Sequence, residues 1–101
     1  MNGQPQQQQQ NIQIKIDDAT MRGQYANMMS VAHSKEEFVL DFMNIYPIQR
    51  AGIVNARVIV SPGHLKRIVN ALKENLEKYE KAFGTIEEAK APSGEELGFH
   101  A

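Results

Sequence analysis

The stretch that most constrains this chain is residues 61–84, SPGHLKRIVNALKENLEKYEKAFG, the one long segment that carries start, period and stop signals together. Ser61 is a good N-cap because its hydroxyl can accept from an N–H that the first helical turn leaves unpartnered. Pro62 suits the first helical position, and Gly84 can supply a left-handed residue just past the end. Between them Leu65, Ile68, Val69, Leu72, Leu76, Tyr79 and Phe83 recur at helical spacing along one face. The opposite face carries Lys73, Glu74, Glu77, Lys78, Glu80 and Lys81, with Glu74 and Lys78, and Glu77 and Lys81, in the favourable i,i+4 order. Burying the apolar stripe is worth on the order of 10–20 kcal/mol gross, and a lone helix cannot collect it. The rest of the fold has to supply a surface.

A chain of 101 residues holds one small domain. The first ten, MNGQPQQQQQ, are polar and of low complexity, and with nothing to bury they are expected to be a disordered tail. Residues 85–101 carry four glutamates and no sustained period, which predicts a flexible acidic tail with Leu97 and Phe99 as weak docking residues. The domain is therefore expected over residues 11–84. So small a core is marginal, and the absence of cysteine removes disulfides and thiolate metal sites, so extra burial is expected from oligomerisation, as a dimer or tetramer. No apolar run approaches a membrane span and the N-terminal stretch does not read as a signal peptide, so the expectation is a cytoplasmic protein without a membrane partner. A net charge of −1 offers no general attraction to nucleic acid, which needs clustered Lys and Arg.

Strand patterns precede the helix. Ile12, Ile14 and Ile16 alternate with Gln13, Lys15 and Asp17, predicting a half-buried strand, and residues 18–23 would turn the chain. In residues 25–33 an extended reading puts Tyr25, Asn27, Met29, Val31 and His33 on one face and Ala26, Met28, Ser30 and Ala32 on the other. Small and apolar side chains on both faces predict a strand covered from both sides. Residues 38–46, FVLDFMNIY, satisfy two templates. A strand places Phe38, Leu40 and Phe42 together, whereas a helix is supported by the capping box of Ser34 with Glu37 and by apolar Val39, Phe42, Met43 and Tyr46. Enrichment in β-branched and aromatic residues favours the strand, and Pro47 ends either element. Residues 47–55, with Pro47 and Gly52, read as a connecting loop, and Ala56 to Val60 as a short strand entering the helix. The predicted fold class is α+β, a four-stranded antiparallel meander sheet followed by one long C-terminal amphipathic helix. A ribbon-helix-helix-like fold is the alternative, if Ser34 caps a helix.

The run Tyr25-Ala26-Asn27, Val31, His33-Ser34, Glu37-Phe38-Val39-Leu40-Asp41-Phe42, Arg57-Val58-Ile59, Ser61-Pro62, His64, Lys66-Arg67, Ala71-Leu72, Asn75, Tyr79-Glu80 and Phe83-Gly84 resembles the small prokaryotic family called domain of unknown function 3467. The resemblance spans about residues 12–84 and implies no activity, since the family is uncharacterised. Its members often carry glycine after the Asp-Phe pair, which favours a strand with a bulge; here Met43 stands there. The implied sheet-then-helix topology looks like a subunit of the SecB export chaperone, a likeness of topology that does not carry function.

Chemistry is sparse. The histidines His33, His64 and His100 form no HxxxH or HExxH pair, so no metal or cofactor is expected. Asp41 lies among Phe38, Val39, Leu40 and Phe42 and needs a partner, because an unpaired carboxylate in apolar surroundings is costly. Arg57 on the next strand is the natural candidate for a structural ion pair, with Arg50 second. Asp41 with His33 and Ser30 would be the catalytic alternative, but no nucleophile elbow or oxyanion signal accompanies them, so an enzyme is not expected. Lys66 and Arg67 at the helix start oppose its dipole, which fits pairing with glutamates of another subunit, or an anion or nucleic-acid contact. Met28, Met29 and Met43 suit core filling, and also flexible peptide grooves. The reading that joins these features is a non-enzymatic homo-oligomeric protein-interaction module, polypeptide-binding or chaperone-like in the SecB manner, with Ala26, Met28, Ser30, Ala32, Lys66 and Arg67 as its interaction surface. The alternative is a nucleic-acid-binding ribbon-helix-helix-like dimer, with Gln13 and Lys15 facing the major groove.

Overall fold

The computed structural model describes residues 11–92. Its elements run in the order α1 (Asp18–Arg22), β1 (Met28–His33), β2 (Phe38–Tyr46), β3 (Ala51–Val60) and α2 (Pro62–Phe83). The strands form one antiparallel sheet in the order β1-β2-β3, open at both edges. The chain is thus α+β, with an antiparallel sheet followed by a C-terminal helix. The described residues hold three strands where the isoleucine alternation predicted a fourth.

The missing strand is the clearest correction. Residues 11–17 make no ladder, and Ile12, Ile14 and Ile16 are 78, 91 and 53 % exposed. Alternation records which side chains want cover, but a strand also needs a neighbouring edge for its N–H and C=O groups. Here Asp17 diverts the chain instead. Its carboxylate accepts from the Thr20 N–H at 2.8 Å and caps α1, which Gly23 then ends at φ 75°.

Residues 38–46 are a strand, and the helical template fails for a local reason. The Ser34 hydroxyl accepts from the Glu36 and Glu37 N–H groups at 3.2 and 3.3 Å, while the Ser34 N–H donates to the Glu37 carbonyl at 2.9 Å. The residues that looked like a capping box therefore close the β1–β2 turn, with the His33 and Phe38 rings 5.2 Å apart across its base. With β2 extended, the ribbon-helix-helix alternative is overturned as a fold, since α2 is the one long helix among the described residues.

The expected loop over residues 47–55 is mostly strand. Only residues 47–50 turn, with Arg50 at φ 54°, and β3 begins at Ala51 rather than Ala56. Gly52, which reads as a loop breaker, sits opposite Ile45, where a Cβ would come within 2.8 Å of the Ile45 Cδ1. Glycine here makes room for a neighbour's side chain. The register shifts between Phe42, paired with Ala56, and Met43, paired with Val54, so Asn55 is the extra residue of a β-bulge. A bulge thus occurs beside Met43 even without glycine there, because its extra residue lies on β3.

The helix follows its signals closely. The Ser61 hydroxyl accepts from the His64 N–H at 3.2 Å, and Gly84, at φ 102°, donates its N–H to the Glu80 carbonyl at 2.9 Å. Beyond it the Ile86 N–H donates to the Glu80 carboxylate at 2.8 Å. The expected cover of the sheet by this helix does not occur within one chain. No residue of α2 is buried, and only Leu65, Ile68 and Glu80 reach intermediate exposure. Leu40, at the middle of the central strand, is the one buried apolar residue among those described. The two expected tails lie largely outside the described residues, among them Leu97, Phe99 and His100.

Candidate interaction surface

Strand register assigns the side chains to faces, because directly paired residues share a face and neighbours alternate. One face groups Met29, Val31 and His33 with Phe38, Leu40 and Phe42, and with Ala56, Val58 and Val60. The other groups Met28, Ser30 and Ala32 with Val39, Asp41 and Met43, and with Val54, Arg57 and Ile59. The first face is continuously apolar apart from His33 at its rim. The second is apolar around a single ion pair.

That pair is Asp41 with Arg57, directly opposed across β2 and β3. The guanidinium Nε donates to one carboxylate oxygen at 2.8 Å and a terminal nitrogen to the other at 2.9 Å, a two-pronged match of planar groups. The Asp41 side chain is only 14 % exposed whereas that of Arg57 is 62 % exposed. The hydrogen bonds from Arg57, helped by its charge, hold the Asp41 carboxyl below the usual carboxylate range against the opposing pull of desolvation, and the guanidinium is shifted up in return. Asp41 enters an apolar face because Arg57 neutralises it there. Ser30 lies opposite Asp41 on the same face, but His33 projects from the other one, so the structure does not assemble Asp41, His33 and Ser30 into an acid-base set.

Of the remaining candidate residues, Met28, Ser30 and Ala32 share the ion-pair face, and Ala26 precedes β1 and is exposed. Lys66 and Arg67 are exposed in the first turns of α2, with no acidic group in ion-pair distance among the described residues. The two i,i+4 pairs of the helix, Glu74 with Lys78 and Glu77 with Lys81, do not close to that distance either. Lys66 and Arg67 are therefore not brought together with the sheet residues. Among the described residues no group of three or more His, Asp or Glu side chains could hold a metal ion. No described helix is long and apolar enough to cross a membrane.

A set of asparagines that composition did not single out organises one end of this surface. The Asn27 N–H donates to the Met43 carbonyl at 3.1 Å, and its side chain both accepts from the Ile45 N–H at 2.8 Å and donates to the Ile45 carbonyl at 3.1 Å. A side-chain amide thus continues the β1–β2 ladder beyond the last regular pair. The Tyr25 carbonyl accepts from Asn44 on β2 at 2.8 Å and from Asn55 on β3 at 3.0 Å. Since those donors sit on adjacent strands, the chain before β1 passes across the sheet at this end. The bulge has a task here, because Asn55 is the extra residue whose amide reaches Tyr25. The signal in the sequence was Asn44 inside a β-favouring run, where asparagine is otherwise disfavoured, while Asn55 closed the stretch that reads as a loop and gave no signal.

The chain's sequence matches the family described as "Protein of unknown function (DUF3467)" over residues 1–88. Neither the curated proteins nor the solved structures provide a match.

Proposed function

We propose that this chain, which belongs to the DUF3467 family, is a non-enzymatic, cytoplasmic, homo-oligomeric protein-interaction module. The observation that carries the reading is the inversion of its apolar burial. Among the described residues Leu40 is the one buried apolar residue, while twenty large apolar side chains are exposed, thirteen of them on the sheet strands and along α2. Scattered exposed apolar residues are ordinary, but contiguous apolar faces mark association surfaces. Covering a half-exposed Val, Ile, Leu or Phe adds about 1 kcal/mol of stability each. A partner would therefore supply much of what the single chain lacks.

The face with Met28, Ser30 and Ala32 is the surface for a second subunit or an extended polypeptide. Its small side chains admit close approach and its methionines adapt to irregular contacts. The Asp41–Arg57 pair at its centre adds one fixed polar mark on which a partner's register can depend. A chaperone-like role, holding apolar stretches of other chains, is the finer form of the same reading. The test is sedimentation velocity of the full chain over a wide concentration series. Oligomers that persist on dilution support the reading, and a folded monomer at every concentration ends it. Salt-dependent retention on DNA by the exposed Lys66 and Arg67, with monomeric mass, would point to nucleic acid instead.

A further inference from the structure

The apolar residues of α2 have a spacing that says what kind of surface covers them. Leu65, Val69, Leu72, Leu76, Tyr79 and Phe83 follow one another at alternating intervals of 4 and 3 residues, the seven-residue pattern of a seam between two helices. A helix lying on a sheet presents a broader apolar band. The seam is uncovered, with Leu72, Leu76, Tyr79 and Phe83 at 66, 49, 49 and 76 % exposure. Tyr79 and Phe83 already stack against each other along it, ring centroids 5.0 Å apart.

We propose that α2 pairs antiparallel with α2 of a second copy of this chain, about a two-fold axis at the level of Glu74. This rests on the homo-oligomeric reading and names its contact. About that axis Leu72 meets the partner's Leu76, Val69 meets Tyr79 and Leu65 meets Phe83, so each layer sets a larger side chain against a smaller or equal one. The charges choose the direction. Lys66, Lys73 and Glu80 recur every seven residues along one flank of the seam, while the other flank carries Ile68, Asn75 and Ala82. Antiparallel pairing sets each Lys66 against the partner's Glu80, twice over, and puts the basic start of one helix beside the negative dipole end of the other. Parallel pairing would place Lys66 and Arg67 beside their own copies and align the helix dipoles, with no opposite charges across either flank. The partner's contact accounts for a basic cluster, Lys66 and Arg67, that has no acidic group in ion-pair distance among the described residues. Glu80 holds the Ile86 N–H with one carboxylate oxygen, which fixes the side chain beside the seam with its other oxygen available. The meeting of Lys73 with its own copy at the axis is the single like-charge contact, and those long side chains can splay into solvent.

The chain contains no cysteine, so single-cysteine variants carry one thiol each. Full-length Lys73→Cys and Asn75→Cys, treated with a short bismaleimide, are expected to shift from the 11.4 kDa band to twice that mass. Lys66→Cys and Glu80→Cys are expected to stay at monomer mass when treated singly, because they lie about 24 and about 18 Å along the axis from their own copies. A mixture of those two variants is expected to cross-link. Sedimentation of the same samples separates the two levels of the reading. Oligomeric mass without cross-linking at positions 73 and 75 overturns the helix pairing alone, as does self-linking of Lys66→Cys, which marks parallel helices. Monomeric mass throughout overturns the assembly and the pairing together.

Discussion

Replacing Asn27 probes whether a side chain truly extends the β1–β2 ladder. The structure gives this amide two bonds to the backbone of Ile45, at 2.8 and 3.1 Å, in part-buried surroundings. A neutral hydrogen bond contributes about 0.5–1.5 kcal/mol net, and a backbone group left unpaired costs about 1–3 kcal/mol when water cannot reach it. Asn27→Ala removes both bonds and strands both polar groups of Ile45, but the site is only half-buried, so the expected loss is about 1.5–2.5 kcal/mol. Urea unfolding at fixed protomer concentration reads this directly. Asn27→Asp sharpens the test. Its carboxylate can still accept from the Ile45 N–H, yet it faces the Ile45 carbonyl where the amide used to donate, so the charged form is disfavoured and the folded pKa of the new group is raised. The folded state then binds more protons than the unfolded one, and stability is present below the ordinary aspartate pKa of about 3.9 and lost as pH rises through the raised value. Asn27→Asp should therefore approach the parent protein in acid and fall to or below Asn27→Ala at neutral pH. An Asn27→Ala variant within about 0.5 kcal/mol of the parent, or an aspartate variant whose deficit does not depend on pH, would refute the ladder mimicry.

Three further outcomes are expected. Because hydrogen bonds from Arg57 lower the Asp41 pKa, that pair contributes stability above the ordinary carboxylate pKa and loses it as pH falls through the depressed one; the gap in urea midpoint between parent and Asp41→Asn should be widest near neutrality and close in acid. Leu40→Ala, at the one buried apolar position among the described residues, should cost about 2–3 kcal/mol by chemical denaturation, with a loss under about 1 kcal/mol counting against Leu40 as the centre of the sheet. If folding and association are coupled, a dimer of about 80 ordered residues per chain unfolds with about 110 kcal/mol of enthalpy, so the calorimetric Tm should rise by about 4 °C for each tenfold in concentration; a Tm that ignores concentration would separate folding from assembly.

The legible parts of the fold were those whose signals are local. Ser61, Pro62 and Gly84 set the ends of α2 because capping needs only hydrogen-bond partners within a turn or so. Residues 38–46 were ambiguous by period, and what decided them was the Ser34 hydroxyl closing a turn, an outcome the same residue types permit at a helix start. Gly52 misled because a glycine's meaning depends on what lies opposite, here Ile45, seven positions earlier in the chain and on the other side of the turn. The pairing of Asp41 with Arg57 could be anticipated from charge and strand order, whereas the clamp on the Tyr25 carbonyl could not, since it depends on a bulge that brings Asn55 into reach. Ile12, Ile14 and Ile16 show the limit most plainly: their alternation describes a demand for cover, and nothing in it names the edge that would satisfy it.

The same limit explains why the helix and the sheet are each well formed and yet leave one another uncovered. Periodicity establishes that a face is apolar, and a single chain offers several candidates to meet it. A helix in a protein draws most of its stability from packing of its apolar face, which α2 leaves exposed, and a three-stranded sheet with one buried leucine among the described residues has little to hold it. Neither element covers the other here, and the proposed assembly would supply to each the surface it lacks. In the proposed pairing the alternating 4 and 3 spacing along α2 meets a second helix, and that leaves the two sheet faces for a separate contact. An assembly built this way uses different surfaces for its helices and its sheets. Disrupting the seam with Leu76→Asp should accordingly abolish cross-linking at position 73 and lower the oligomer mass, while leaving the Asp41–Arg57 contribution to the pH dependence in place. Loss of both together would mean that helix seam and sheet face belong to one continuous interface.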